Sequence, residues 1–219
     1  MTLLITCLSQ LAFAQDYNKL KDIIQNKRAS YQIEYIEADS TNKEAIIVQA
    51  RTFLFQILSD SIFPTWYGTK WDFNGMSRTP KSGYIACGYF VTTTLQDLGF
   101  KIPRIYWAQQ YGSYYINKLS NQNNIYQFSN SSTDDITKTL AHKGNAIYIV
   151  GLDHHVGFLI VKNHQLKFVH SNYYEPNDFV CSEPINYSLA FNDSNTHMIG
   201  RILNDKMMKN WILQVNYTK

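Results

Sequence analysis

Cysteine is scarce in this sequence: Cys7, Cys87 and Cys181 are the only three in 219 residues. So few cannot build a disulfide framework, so stability must come from a buried core, and the chain is long enough to form one. A Cys87–Cys181 disulfide would silence any thiol chemistry. Charge is also sparse, at 17% Asp, Glu, Lys and Arg with a net +3. Lys and Arg are scattered rather than gathered into a stripe, which argues against a dedicated nucleic-acid binder and still suits work near an anionic surface. There is no internal repeat and no low-complexity tract.

What is present is apolar and aromatic, 45% and 15% of the residues. That composition belongs to a globular domain and is far from disorder. The opening "MTLLITCLSQLAFA" is uncharged and ends in a small-x-small pattern at Ala12-Phe13-Ala14. It reads as a signal peptide over residues 1–14, too short to span a bilayer and lacking the usual basic start. Export to the periplasm or the extracellular space follows, with no integral membrane segment in the mature chain. Thr6 before Cys7 is larger than a lipid-attachment site normally accepts. The Asn-x-Ser/Thr sequons, in a chain rich in Asn and Ser, read as chance.

The remainder divides into a helical extension, 15–60, and a domain, 61–219. Residues 17–28 and 42–60 carry apolar residues at helical spacing. "FPTWYGTKWDFNGMSRTPKSG" is a loop with aromatic walls. A buried helix runs from about Cys87 to Leu98 and stops at Gly99. Residues 101–131 show no clear period. A short helix near "DDITKTLA" ends at Lys143-Gly144, and then the period changes. "NAIYIVG", "HVGFLIVK", "LKFVHSN" and "MIGRIL" are strands, with a turn at Lys162-Asn163. Helices followed by strands predict an α+β fold with an antiparallel sheet.

The chemistry gathers on few residues. Cys87 opens its helix, where unpaired N–H groups and the helix dipole lower a thiol pKa, and an imidazolium lowers it further. His155 begins a strand after a polar turn, with His154 facing the other way. His170 lies on the next strand, placed to hold the His155 ring across the hairpin. Ser171 falls on the opposite face, and Asn172 is the other competitor. His142, His164 and His197 read as surface residues in turns. Cys181 reads as a passive thiol in a loop. Zinc is the other use for such side chains, but Asp153, His154, His155 and His170 make a poor set because adjacent strand residues diverge.

In order along the chain, "YGTKWDFNG", "ACGYFV", "HVGFL" and "FVHS" resemble the NlpC family of cell-wall cysteine peptidases, a branch of the papain-like fold. There a Gly-Thr-Pro-Tyr-x-x-Gly-Gly loop precedes Asp-Cys-Ser-Gly-Phe-Val, with His-Val-Gly and Ile-His-Ala later. The resemblance runs from about Pro64 to Asn172. It implies Cys87 as nucleophile, His155 as general base, His170 as orienting residue, and a helical half facing a sheet. It also implies that Trp71, where the family has a tyrosine, serves the oxyanion or walls the cleft. Ala86, Gly88 and Tyr89 depart from the family's Asp, Ser and Gly. The stretch between Cys87 and His155 is longer than usual, so the segment from Tyr111 is expected to shape its own substrate groove.

The expected activity is cleavage of an amide in a peptidoglycan peptide, with no cofactor. The alternatives are a catalytically silent ligand-binding module on the same fold and a related thiol acyltransferase or lipid amidase. The sequence does not specify an oligomeric state.

Overall fold

The computed structural model describes residues 2–219, with side chains from Asp16 onward. The expected signal segment, 1–14, lies outside the residues described in full.

Two long helices come first, α1 (Thr2–Glu37) and α2 (Ser40–Ile57). Helix α1 extends beyond the expected 17–28 at both ends, while α2 starts earlier than the expected 42–60 and ends at Ile57. The break between them is set by Asp39, whose carboxylate accepts from Asn42 N at 2.9 Å and caps α2. One π turn (Leu58–Ile62) continues α2 into α3 (Phe63–Trp66). Pro64 explains that widening: it brings no N–H and its ring crowds the carbonyl four residues back. The aromatic-walled loop therefore starts after Trp66. By length and composition the helix from Ser40 to Trp66 could cross a bilayer. Its stripe of Ile46, Ala50, Leu54, Leu58 and Ile62 is instead buried in the protein's own core, together with Tyr17, Ile24 and Tyr31 of α1.

Helix α4 (Cys87–Asp97) begins where the sequence placed it. Gly99, at φ +96°, closes it. Gly99 N–H reaches Gln96 O at 2.8 Å and Phe100 N–H reaches Leu95 O at 3.1 Å, the paired bonds of a Schellman end. The unassigned stretch after it folds as α5 (Arg104–Ala108), α6 (Gly112–Leu119) and strand β1 (Ile125–Ser129). Helix α7 (Thr133–Leu140) follows, capped by Ser132.

The strands are β2 (Ala146–Leu152), β3 (Val156–Lys162), β4 (Gln165–Ser171), β5 (Val180–Pro184) and β6 (Thr196–Arg201). Short α8 (Leu189–Asn192) precedes β6, and α9 (Asp205–Ile212) follows it. The sheet order is β1-β6-β2-β3-β4-β5, with every neighbour antiparallel. The fold is α+β.

Alternation divides the core between the two faces of the sheet. Ile147, Ile149, Phe158, Ile160 and Val169 face the helices, α4 among them. Tyr148, Val150, Leu159 and Phe168 face a second cluster with Ile136, Leu140 and Phe191. The β3–β4 hairpin turns on Asn163 and His164, both at positive φ, as a two-residue turn requires. With Phe158 opposite Val169, the register sets Gly157 against His170. A Cβ at Gly157 would lie 2.8 Å from His170 Cβ and 2.7 Å from the Phe168 ring. The glycine in "HVG" is what lets His170 close over β3.

Candidate active site

The loop before Cys87 is anchored to the sheet. Ile85 N–H donates to Lys70 O at 2.9 Å and Ala86 N–H to Gly75 O at 2.8 Å. The buried Ser171 hydroxyl donates to Ile85 O at 2.6 Å. Adjacent β4 residues thus do two jobs: Ser171 holds the loop before Cys87, and His170, on the other face, holds His155. Asn172 is used elsewhere, donating to Asn177 O at 2.9 Å and accepting from Tyr174 N at 3.1 Å.

Cys87 is half-buried at the first position of α4. Its sulfur accepts from the backbone N–H of Val156, and also from those of Gly88 and Cys87 itself. The Val156 bond puts the thiol against the peptide that joins Val156 to His155. His155 is buried, and its Nδ1 has no hydrogen-bond partner. Its Nε2 lies 2.8 Å from His170 Nδ1, with the rings nearly perpendicular. His170 is fully buried and stacks on Phe168, ring centroids 4.3 Å apart. Its Nε2 lies 3.0 Å from Glu183 Oε1.

That chain of bonds has a direction. Burial pushes the Glu183 carboxyl up, but hydrogen bonds from His170 and Ser188 outweigh it and leave the group below its ordinary range. An ionised carboxylate can only accept, so His170 Nε2 carries the proton and His170 Nδ1 becomes an acceptor. His155 must then donate from Nε2, which leaves a bare lone pair on Nδ1, the atom without a partner. Burial lowers both histidines, His155 well below its ordinary value, with Glu183 partly restoring His170. Both are neutral at pH 7.

The thiol departs from expectation. Burial pushes the Cys87 pKa up, and the three backbone N–H groups only partly offset this. Cys87 therefore rests as a thiol and His155 as a neutral imidazole, which supplies no imidazolium to lower the thiol pKa.

Cys181 and His197 also differ from the sequence reading. Cys181 lies on β5 as the cross-strand partner of His170, its sulfur 3.7 Å from His170 Nε2. It is a free thiol, as is Cys87. Burial and the Glu183 charge raise its pKa to about 12. His197 is buried on β6 and donates from Nε2 to Phe191 O at 2.8 Å. His142 and His164 are exposed, and so is His154 beside the buried His155. Asp153 accepts from Asn195 N at 2.8 Å and Thr196 N at 3.2 Å, tying the β2–β3 turn to the start of β6.

Trp71 is half-buried, and its backbone N–H donates to Asp178 O at 2.8 Å. Its ring packs 5.9 Å from that of Tyr173, which in turn lies 5.1 Å from His155. Trp71 is thus linked to His155 through the Tyr173 ring. Gly88 is explained by packing: a Cβ there would come within 2.1 Å of Ala108 O at the end of α5. Beside His154, a cavity of about 570 Å³ is lined by Tyr111, Ser113, Phe128 and Met198 among others. Gly112 starts α6 against Gly151 of β2, where a Cβ would lie 2.6 Å from Gly151 Cα.

Glu183 was missed at the sequence level. The only signal was the alternation in "VCSEP", which puts Cys181 and Glu183 on one face if the segment is a strand. The chain matches no family model, no curated protein and no solved structure.

Proposed function

We propose that this protein is an exported cysteine hydrolase of papain-like, NlpC type that cleaves an amide bond in a cell-wall peptide. The observation that carries the reading is the buried, partnerless Nδ1 of His155, whose other nitrogen is fixed by His170 and Glu183, one peptide away from the Val156 N–H that binds the Cys87 sulfur. A buried lone pair without a donor is costly unless a thiol or substrate proton occupies it.

In the reaction, His155 Nδ1 takes the thiol proton as Cys87 Sγ bonds to the scissile carbonyl carbon. The same proton passes to the nitrogen as the C–N bond breaks and the amine leaves. Water then attacks the thioester, giving its proton to His155. The carboxylic acid departs, and the thiol takes back its proton. A thiol that starts neutral suits this coupled transfer better than a standing ion pair. The four N-terminal peptide groups of α4 offer donors for the oxyanion, and Trp71 lines the cleft. The groove beside Tyr111 would receive a polar stretch of substrate, matching its Ser113, Gln127, Ser129 and Asp153 lining.

The raised thiol pKa favours one rival, a binding module on the same fold that does not turn over. Digestion of purified peptidoglycan followed by mass spectrometry separates the two. New amine and carboxyl ends are expected from the wild type and none from Cys87→Ala. An intact wall after prolonged incubation with folded wild-type protein would leave the binding reading. Export is checked by N-terminal sequencing of the mature protein, expected to start at or near Gln15.

A further inference from the structure

We propose that His170, Cys181 and Glu183 form a site for a zinc-class divalent cation that switches the Cys87 thiol off, the switching half of which rests on the hydrolase reading above. One ligand atom from each lies within 4.8 Å of the others. At the tetrahedral angle, zinc bonds of about 2.0–2.3 Å put neighbouring N, O and S ligands about 3.3–3.6 Å apart. The distances here are 3.0 Å from His170 Nε2 to Glu183 Oε1 and 3.7 Å from His170 Nε2 to Cys181 Sγ. The two edges that meet at His170 are thus close to size before any ion arrives, and the third lies within 4.8 Å.

The donor set of one thiolate, one imidazole and one carboxylate suits zinc rather than magnesium or calcium. All three side chains project from paired strands: Cys181 is opposite His170, and Glu183 follows two residues along β5. His170 is held by its stack on Phe168, and its far nitrogen is hydrogen-bonded to His155. Such a second bond is what orients metal-bound histidines. Cys181 and Glu183 are half-buried, leaving the fourth position to water. Glu183 and a Cys181 thiolate repel each other, and a divalent cation between them turns that repulsion into attraction.

The switch follows from the tautomers. A metal on His170 Nε2 displaces that proton, and the ring becomes protonated at Nδ1. His170 then donates to His155 Nε2, so His155 carries its own proton on Nδ1. The lone pair that would accept the Cys87 proton is gone. Protons balance: each ring keeps one, and Cys181 releases its thiol proton to solvent.

Chelator-stripped protein titrated with Co²⁺ tests the site without any turnover. A thiolate-to-cobalt absorption band in the near ultraviolet is expected in wild type and in Cys87→Ser. It should vanish in Cys181→Ser and weaken in Glu183→Gln, with circular dichroism confirming that each variant is folded. Saturating Zn²⁺ should also slow iodoacetamide labelling of Cys87, read peptide by peptide, by about tenfold or more, the lower range of what a positioned base contributes. That slowing should be absent in Cys181→Ser. No cobalt band in wild type, or a band lost in Cys87→Ser and kept in Cys181→Ser, overturns the site. A correct band with Cys87 labelling indifferent to zinc overturns the switch. Failure of metal-free protein to digest wall counts against the hydrolase reading alone, since the cobalt band needs no catalysis.

Discussion

Glu183 Oε1 lies 3.0 Å from His170 Nε2 across the β4–β5 pair, and this one bond sets the protonation of two imidazoles. The carboxylate claims the Nε2 proton of His170, His170 claims the Nε2 proton of His155, and His155 Nδ1 is left as a bare lone pair.

Replacing the carboxylate removes that bias. Glu183→Gln offers an amide that can donate as readily as accept, so the wrong tautomer becomes populated. On the proposed hydrolase reading, kcat of chelator-treated protein should fall about tenfold, the cost of losing an outer orienting partner, with KM little changed. The carboxylate raises His170, so its loss lowers that pKa further and the acid limb of the rate profile moves to lower pH. An unchanged profile and rate would show that Glu183 only packs.

The two histidines should separate by role. His155→Ala removes the base and should cost about 10²–10⁴ in kcat. His170→Ala should cost less, because the base itself is kept and only its orientation is loosened. His170→Asn should recover part of that loss, since its amide oxygen can accept from His155 Nε2. Steady-state rates on one peptide substrate rank them. His154→Ala more harmful than His155→Ala would place the base on the wrong side of the strand.

Gly88→Ser introduces the residue that the NlpC motif carries after its cysteine and should nonetheless hurt. The new Cβ meets Ala108 O at 2.1 Å, a backbone atom with little room to move. Destabilisation of about 1–3 kcal/mol, in the usual range for forcing extra atoms into a packed site, is expected in urea unfolding. A neutral or stabilising serine would contradict the α4–α5 packing.

Acid should weaken the fold before carboxylates titrate. Burial depresses His155 and His197 below the ordinary histidine value of about 6.5. Unfolded chains therefore bind more protons. The stabilisation is complete above pH 6.5 and is lost as pH falls through 6.5 toward the folded values. Melting temperature measured with chelator present should drop between pH 7 and pH 5, and His197→Asn should flatten part of the slope. A flat curve over that window would mean these rings are charged in the folded protein.

Much of this was legible in the sequence because it rests on local pattern. The start of α4 at Cys87, its stop at Gly99, the β3–β4 hairpin, and His155 and His170 on one face of it all follow from periods of 3.6 and 2 and from turn residues. The residues between 101 and 131 carry no period, and their short helices exist only because Trp107, Tyr115 and Ile116 are buried against the rest of the core. "VCSEP" is a strand because β4 lies beside it, so Glu183 and Cys181 could not be placed near His170 from their own neighbours. His197 looked like a turn residue and is buried by β1 and β2 on either side of β6. The pKa of Cys87 was decided by tertiary structure as well. A helix start favours the thiolate wherever it occurs, but how much water is excluded from the sulfur depends on what the whole fold packs over it, and here burial wins.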